Sequence, residues 1–182
     1  MIKRKQMGTL ANNYIFKALD AYPYDLEETI EALTYALAYE DKNIVALGLM
    51  GRIYAEKLYD YEKAKEYYTE ALAENINAFH IYPHYISVLL WNEDYDEASK
   101  LIKFALTIKG ADKAVLYVCK SQLQEQKKDY KKALKTLKKA KEYTYNTDYL
   151  YVIDREKERI KGKLPKKKEE KSKKKKSKKK RK

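Results

Sequence analysis

Asp60-Tyr61-Glu62-Lys63-Ala64, Asp94-Tyr95-Asp96-Glu97-Ala98 and Asp129-Tyr130-Lys131-Lys132-Ala133 are three versions of one pentapeptide. They stand 34 and 35 residues apart, and a weaker version, Asp25-Leu26-Glu27-Glu28-Thr29, lies 35 residues before the first. Seven residues beyond each fifth position comes another small residue: Ala36, Ala71, Ala105 and Ala140. A period of this length marks a repeat architecture, in which each unit buries its apolar face against the next.

Each residue type has a physical role at that spacing. The Asp stands where a helix begins, so its carboxylate can accept from free backbone N–H groups of the first turn. Asp25 with Glu28, and Asp94 with Glu97, add the acidic third position of a capping box. Two small residues seven apart share a helix face and allow close approach, while Leu33, Tyr68, Ile102 and Leu137 between them supply bulk. A second helix precedes each Asp. Over residues 44–57, Leu47, Met50, Gly51 and Tyr54 form its apolar stripe, and Gly51 predicts a crossing too tight for a Cβ. Pro83 either opens a short first helix of the third repeat at N1 or kinks a longer one that starts at Asn77. The capping character of Asn77 favours the kink.

The pattern Leu47, Met50, Gly51, Tyr54, Ala64, Tyr68, Ala71, with one extra residue in the inter-helix turn, resembles the tetratricopeptide repeat. The resemblance covers residues 8–145 as four repeats, followed by a capping helix over 147–161. It implies an all-α, right-handed α-solenoid: a flexible stretch 1–7, helix pairs plus cap over 8–161, and a tail 162–182. Departures are Thr29 in place of Ala, and the tight position of the later repeats, which falls on Ile86 or Ser87 and on Cys119 or Ser121.

Composition agrees with long helices: 37% of the 182 residues are charged, against only 5 Gly and 3 Pro. The 19 Tyr, against 3 Phe and 1 Trp, suit a thin core whose rings are buried while hydroxyls reach water. The single cysteine, Cys119, excludes an internal disulfide, and no stretch is apolar for long enough to span a membrane. The expected location is cytoplasmic. The net charge of +13 sits in the tail, where residues 161–182 carry 15 Lys+Arg against 2 Asp+Glu. That tail lacks apolar residues after Leu164 and repels itself, so it is expected to be disordered.

Chemistry-bearing motifs are sparse. His80 and His84 have the i, i+4 spacing of a metal-binding helix, but no Glu lies between them and no third ligand is in evidence. There is no Gly-rich phosphate loop and no Gly-x-Ser-x-Gly, so no catalytic residue, metal ligand or cofactor is assigned.

The resemblance implies instead a groove lined by the first helices that binds a protein or peptide. Carrying its positions across gives Tyr14, Ile15 and Ala18 in the first repeat and Val45, Leu49, Arg52 and Glu56 in the second. The third repeat supplies His80, His84, Ser87 and Trp91. The cations with which chaperone-binding members grip a carboxylate are missing apart from the two histidines.

A second candidate surface is basic. Lys127, Lys131, Lys135 and Lys138 form one stripe, continued by Lys173, Lys174, Lys175, Lys176, Lys178, Lys179, Lys180, Arg181 and Lys182 in the tail. With lysine dominant, contact with RNA, DNA or a ribosome would be to phosphates and independent of sequence. The expected function is a non-catalytic adaptor with added polyanion affinity. The alternative is a nucleic-acid- or ribosome-associated factor whose repeats present the basic surface.

Overall fold

The computed structural model describes residues 2–165, with side chains described from Leu10 onward. Every regular element among them is an α-helix: α1 (Ile2–Ala21), α2 (Leu26–Tyr39), α3 (Ile44–Glu56), α4 (Tyr61–Glu74), α5 (Ile81–Trp91), α6 (Tyr95–Ala105), α7 (Lys113–Gln126), α8 (Tyr130–Lys141) and α9 (Thr147–Gly162). Helix α1 thus reaches back to Ile2, through the stretch read as a flexible start. The chain divides between Asp112 and Lys113 into two compact units. In the first, α1 packs on α2, α3 on α4 and α5 on α6, and each pair touches the next. In the second, α7 packs on α8 and α9 covers α8.

The repeated alanines are what make the pairs close. Ala64 and Ala71, Ala98 and Ala105, and Ala133 and Ala140 are all fully buried. Leu33, Tyr68, Ile102 and Leu137 fill the space between. Thr29 occupies the same buried position in α2, and its hydroxyl donates to the Asp25 carbonyl one turn back, so the extra polar atom is satisfied. A Cβ on Gly51 would stand 2.7 Å from Tyr68 Cε1, which makes glycine a packing requirement. At Gly48 a Cβ would meet the far end of the Ile81 side chain, Cδ1 at 2.6 Å, so there a side chain rather than a ring or backbone would have to give.

The aspartates divide into two kinds. Asp25 accepts from the Glu28 N–H at 2.9 Å and Asp60 from the Lys63 N–H at 3.0 Å, as caps should. Asp94 begins α6 without a side-chain cap bond, because Lys65 Nζ and Asn92 Nδ2 each hold its Oδ2 at 2.8 Å. Asp129 likewise makes no cap bond and pairs with Lys132 at 2.9 Å. The capping boxes do not close either. The N–H of Asp25 bonds to the Ala21 carbonyl and that of Asp94 to the Leu89 carbonyl, leaving no backbone donor for Glu28 or Glu97.

Turn geometry settles the first-helix register. The residue before three of the aspartates is left-handed: Tyr59 at φ 56°, Glu93 at 62° and Lys128 at 61°. The Asp94 N–H then reaches back to Leu89 and the Asp129 N–H to Gln124, but the Asp60 N–H reaches one residue further, to Tyr54. The second pair therefore holds the extra residue, and Gly51, Ile86 and Ser121 are equivalent. Ser87 and Cys119 are not. Ser121 is buried and donates to the Ala133 carbonyl at 3.1 Å.

The kink expected at Pro83 is absent. Residues 75–80 form successive turns, and α5 begins at Ile81 with His80 at its N-cap. Pro83 is the third helical residue, where the missing N–H has no intrahelical acceptor to lose. Asn77 caps nothing; its own N–H bonds to Asn75 Oδ1 at 2.8 Å.

Candidate functional site

Three helices of the first unit, α1, α3 and α5, carry the residues expected to line a groove, and the structure separates them into core and surface. Ile15, Ala18 and Leu49 belong to the core, packed with Ala32, Leu33, Ala36 and Ile53. Tyr14 stacks on Tyr35 at 5.1 Å and on Tyr39 at 5.8 Å, and so faces α2. The expectation for α1 was rotated by one residue, a turn of about 100° on a helix. The large apolar side chains that α1 leaves at the surface include Phe16, 63% exposed, and Leu19, 46% exposed. Val45 and Trp91 are similarly open, at 44% and 49%, and Trp91 leans on Tyr61 with ring centroids 6.1 Å apart. Arg52, Glu56, His84 and Ser87 are half-buried, and His80 is exposed.

The end of α1 and helix α3 are joined by a polar cluster whose key member, Tyr22, did not stand out in the sequence. The Tyr22 hydroxyl donates to Glu56 Oε2 at 2.9 Å and accepts from Arg52 Nη2 at 3.3 Å. Arg52 Nε also reaches Glu56 Oε1 at 3.4 Å, and the guanidinium lies 5.0 Å over the Tyr22 ring. Tyr22 and Glu56 are 34 residues apart, one repeat period, so the bond ties successive pairs together.

The electrostatics follow from this geometry. Burial favours the neutral acid at Glu56, but hydrogen bonds from Tyr22 and Arg52 outweigh it and hold the carboxyl below its ordinary range. Burial, reinforced by the Arg52 charge, lowers the pKa of His84, so its imidazole is neutral at pH 7. The Tyr22 phenol is pushed up by burial and by Glu56. The Arg52–Glu56 pair thus cancels its own charge. Among the described residues, Arg52 Nη1 and both ring nitrogens of His84 make no hydrogen bond, and these are the groups left for a ligand.

His80 and His84 gain no third ligand: among the described residues no three His, Cys, Asp or Glu side chains come together in a metal-binding arrangement. Cys119 is buried in α7, and burial pushes its thiol up to about 12, far from a reactive thiolate.

On the second unit, Lys131, Lys135 and Lys138 are exposed on the side of α8 opposite Ala133, Leu137 and Ala140. No acid among the described residues pairs with them. Lys132 and Lys141, by contrast, are held by Asp129 at 2.9 Å and Asp154 at 2.6 Å. Lys127 is not part of the stripe, since α7 ends at Gln126 and α8 starts at Tyr130. The tail lysines and Arg181 expected to extend this surface lie outside the described residues. No described helix is long and apolar enough to cross a membrane.

The arrangement of helices is shared with solved structures. It superposes on PilF of Pseudomonas aeruginosa with a TM-score of 0.68 at 18% identity, over 87% of this chain and 76% of that one. The 41-to-end form of MamA from Desulfovibrio magneticus RS-1 gives 0.63 at 22% identity, over 86% and 90%. The chain has the tetratricopeptide-repeat fold. The tetratricopeptide register of Leu47, Met50, Gly51, Tyr54, Ala64, Tyr68 and Ala71 falls on one helix pair, α3 and α4, as that fold requires. No protein-family model matches the sequence, and no curated protein is recognisably similar to it.

Proposed function

We propose that this chain is a non-catalytic protein-interaction module that binds an extended or helical protein segment along the face of α1, α3 and α5. The observation that supports it is that Phe16 and Leu19 on α1, Val45 on α3 and Trp91 on α5 are open, while the Tyr22–Arg52–Glu56 cluster ties the end of α1 to α3. Exposed aromatic and aliphatic side chains next to a fixed Arg are the make-up of a binding hot spot. The bonds within the cluster hold Arg52 in place before a partner arrives, which lowers the ordering cost of association. Helix pairs of the tetratricopeptide type elsewhere serve as scaffolds, and nothing in this site asks for bond chemistry. The cytoplasm is the natural setting for its single unpaired thiol.

A polyanion contact through the α8 lysines and the lysine-rich tail is the second part of the proposal. The supporting observation is that Lys131, Lys135 and Lys138 are exposed with no acid to neutralise them.

Affinity capture from nuclease-treated native lysate separates the two parts. The full chain is compared with Leu19→Ala/Arg52→Ala/Trp91→Ala and with Lys131→Glu/Lys135→Glu/Lys138→Glu, circular dichroism showing that each is folded. The first variant should lose a discrete set of proteins that the second retains. Identical recovery by all three proteins would overturn the protein-binding reading.

A further inference from the structure

We infer that the second unit carries a site for single-stranded nucleic acid, in which bases stack on Tyr143 and Tyr145 while lysines of α7 and α8 hold phosphates. This rests on the polyanion part of the proposal above and names its partner class.

The site begins with two packed rings that carry a lysine at each end. Lys139 Nζ lies 4.8 Å from the Tyr117 ring, Tyr117 packs on Tyr143 at 5.3 Å, and Lys113 Nζ lies 5.6 Å from the Tyr143 ring. Tyr117 is buried and supports Tyr143, which is 44% exposed. Tyr145, two residues on, is 99% exposed, which leaves its ring without a packing role. Between Tyr130 and Thr147 six lysines stand against one acid, Glu142. Lys131, Lys135 and Lys138 continue the positive surface along α8, spaced by about 4.5–6 Å along the axis at 1.5 Å per residue.

The kind of polyanion follows from the apolar residues. In residues 113–165 the exposed large apolar side chains are all tyrosines: Tyr143, Tyr145 and Tyr151. A lipid surface would call for aliphatic or Trp anchors beside the lysines, and the exposed Leu, Phe and Trp side chains all lie in the first unit. A duplex keeps its bases stacked inside and would leave the open rings unused. Aromatic faces set in a positive surface are how sequence-tolerant single-strand binding is built.

The test is fluorescence anisotropy of the full chain with a short labelled single-stranded RNA. The same sequence as single-stranded DNA, as duplex, and inorganic polyphosphate serve as competitors. Single strands, RNA or DNA, should compete better than the duplex or polyphosphate. Tyr145→Ala and Tyr143→Ala should each weaken single-strand binding by about 5- to 150-fold, with Tyr143→Phe restoring it. Because Tyr145 is fully open, Tyr145→Ala cannot act by unfolding the site. Lys131→Glu/Lys135→Glu/Lys138→Glu should flatten the dependence of log affinity on log salt by about 2. Equal competition by duplex and polyphosphate, or tyrosine variants that bind as the wild type does, would overturn the inference while leaving polyanion binding intact. No binding to any of these probes at low salt would overturn both.

Discussion

Gly51→Ala places a methyl carbon 2.7 Å from Tyr68 Cε1 and 2.9 Å from both Cδ1 and Cζ. Carbon atoms prefer about 3.5–4.0 Å, so ring or helix must yield by roughly an ångström. The ring has nowhere to go, being 1% exposed and packed on Tyr85 at 5.7 Å. Overpacking of this kind costs about 1–3 kcal/mol, and the better helix propensity of alanine offsets about 1 kcal/mol of it. The expected net loss is about 1 kcal/mol, or roughly 2–4 °C in Tm for a chain of this size. Urea denaturation followed by circular dichroism reads it, with Gly162→Ala, where a Cβ meets nothing within 4 Å, as the control. In the fourth pair the equivalents of Gly51 and Tyr68 are Ser121 and Leu137, so a larger first-helix residue goes with a smaller partner. Gly51→Ala/Tyr68→Leu should therefore be more stable than the sum of its single variants, by about 1 kcal/mol of coupling. A Gly51→Ala protein as stable as the wild type would refute the tight crossing.

Three further outcomes are expected. Lys128→Gly should stabilise by about 0.5–1 kcal/mol and Lys128→Val destabilise, because φ there is 61° and β-branched residues tolerate that region worst; thermal denaturation checks both signs. Asp60→Ala should cost about 1 kcal/mol as a lost cap, and Asp129→Ala less, since only Asp60 accepts a backbone N–H; equal losses in urea titrations would contradict the distinction. At Glu125 burial raises the pKa, but hydrogen bonds from Lys163 and Arg159, the latter at 2.5 and 2.6 Å, win and hold it below the ordinary range. A depressed folded pKa gives stability that is full above the unfolded value and lost as pH falls through the folded one. The Tm advantage over Glu125→Gln should therefore shrink below about pH 4, and an advantage constant with pH would refute the anchoring of α9.

What the sequence disclosed, and what it hid, has a consistent physical cause. The second helix of each pair was legible because one spacing sets its whole buried face: Ala64, Tyr68 and Ala71, and their equivalents, recur without insertion. The first helices were less legible: the extra residue before Asp60 showed in the spacing, but the register of the third and fourth pairs is fixed only by the reach of the Asp94 and Asp129 N–H groups to Leu89 and Gln124. In α1 the expected positions fell one residue off, naming Ile15 and Ala18, which are core, where Phe16 and Leu19 are open. The missing cap at Asp94 depends on Lys65, 29 residues earlier, which no local pattern announces. Tyr22 escaped notice for the same reason, yet its separation of 34 residues from Glu56 matches the repeat. Comparing polar residues one period apart is the signal that finds it. Glu125 and Arg159 show the same separation in the second unit.

The proposed binding face of the first unit is tested most directly by site-specific photo-crosslinking in native lysate. A benzophenone amino acid is placed at Leu19 on α1 or at Trp91 on α5, both open, and in a parallel sample at Tyr35, which is 46% exposed on α2. The account predicts discrete protein adducts from the first two positions, abolished by Arg52→Ala, and none of the same species from position 35. Adducts that form equally from position 35, or from it alone, would contradict it.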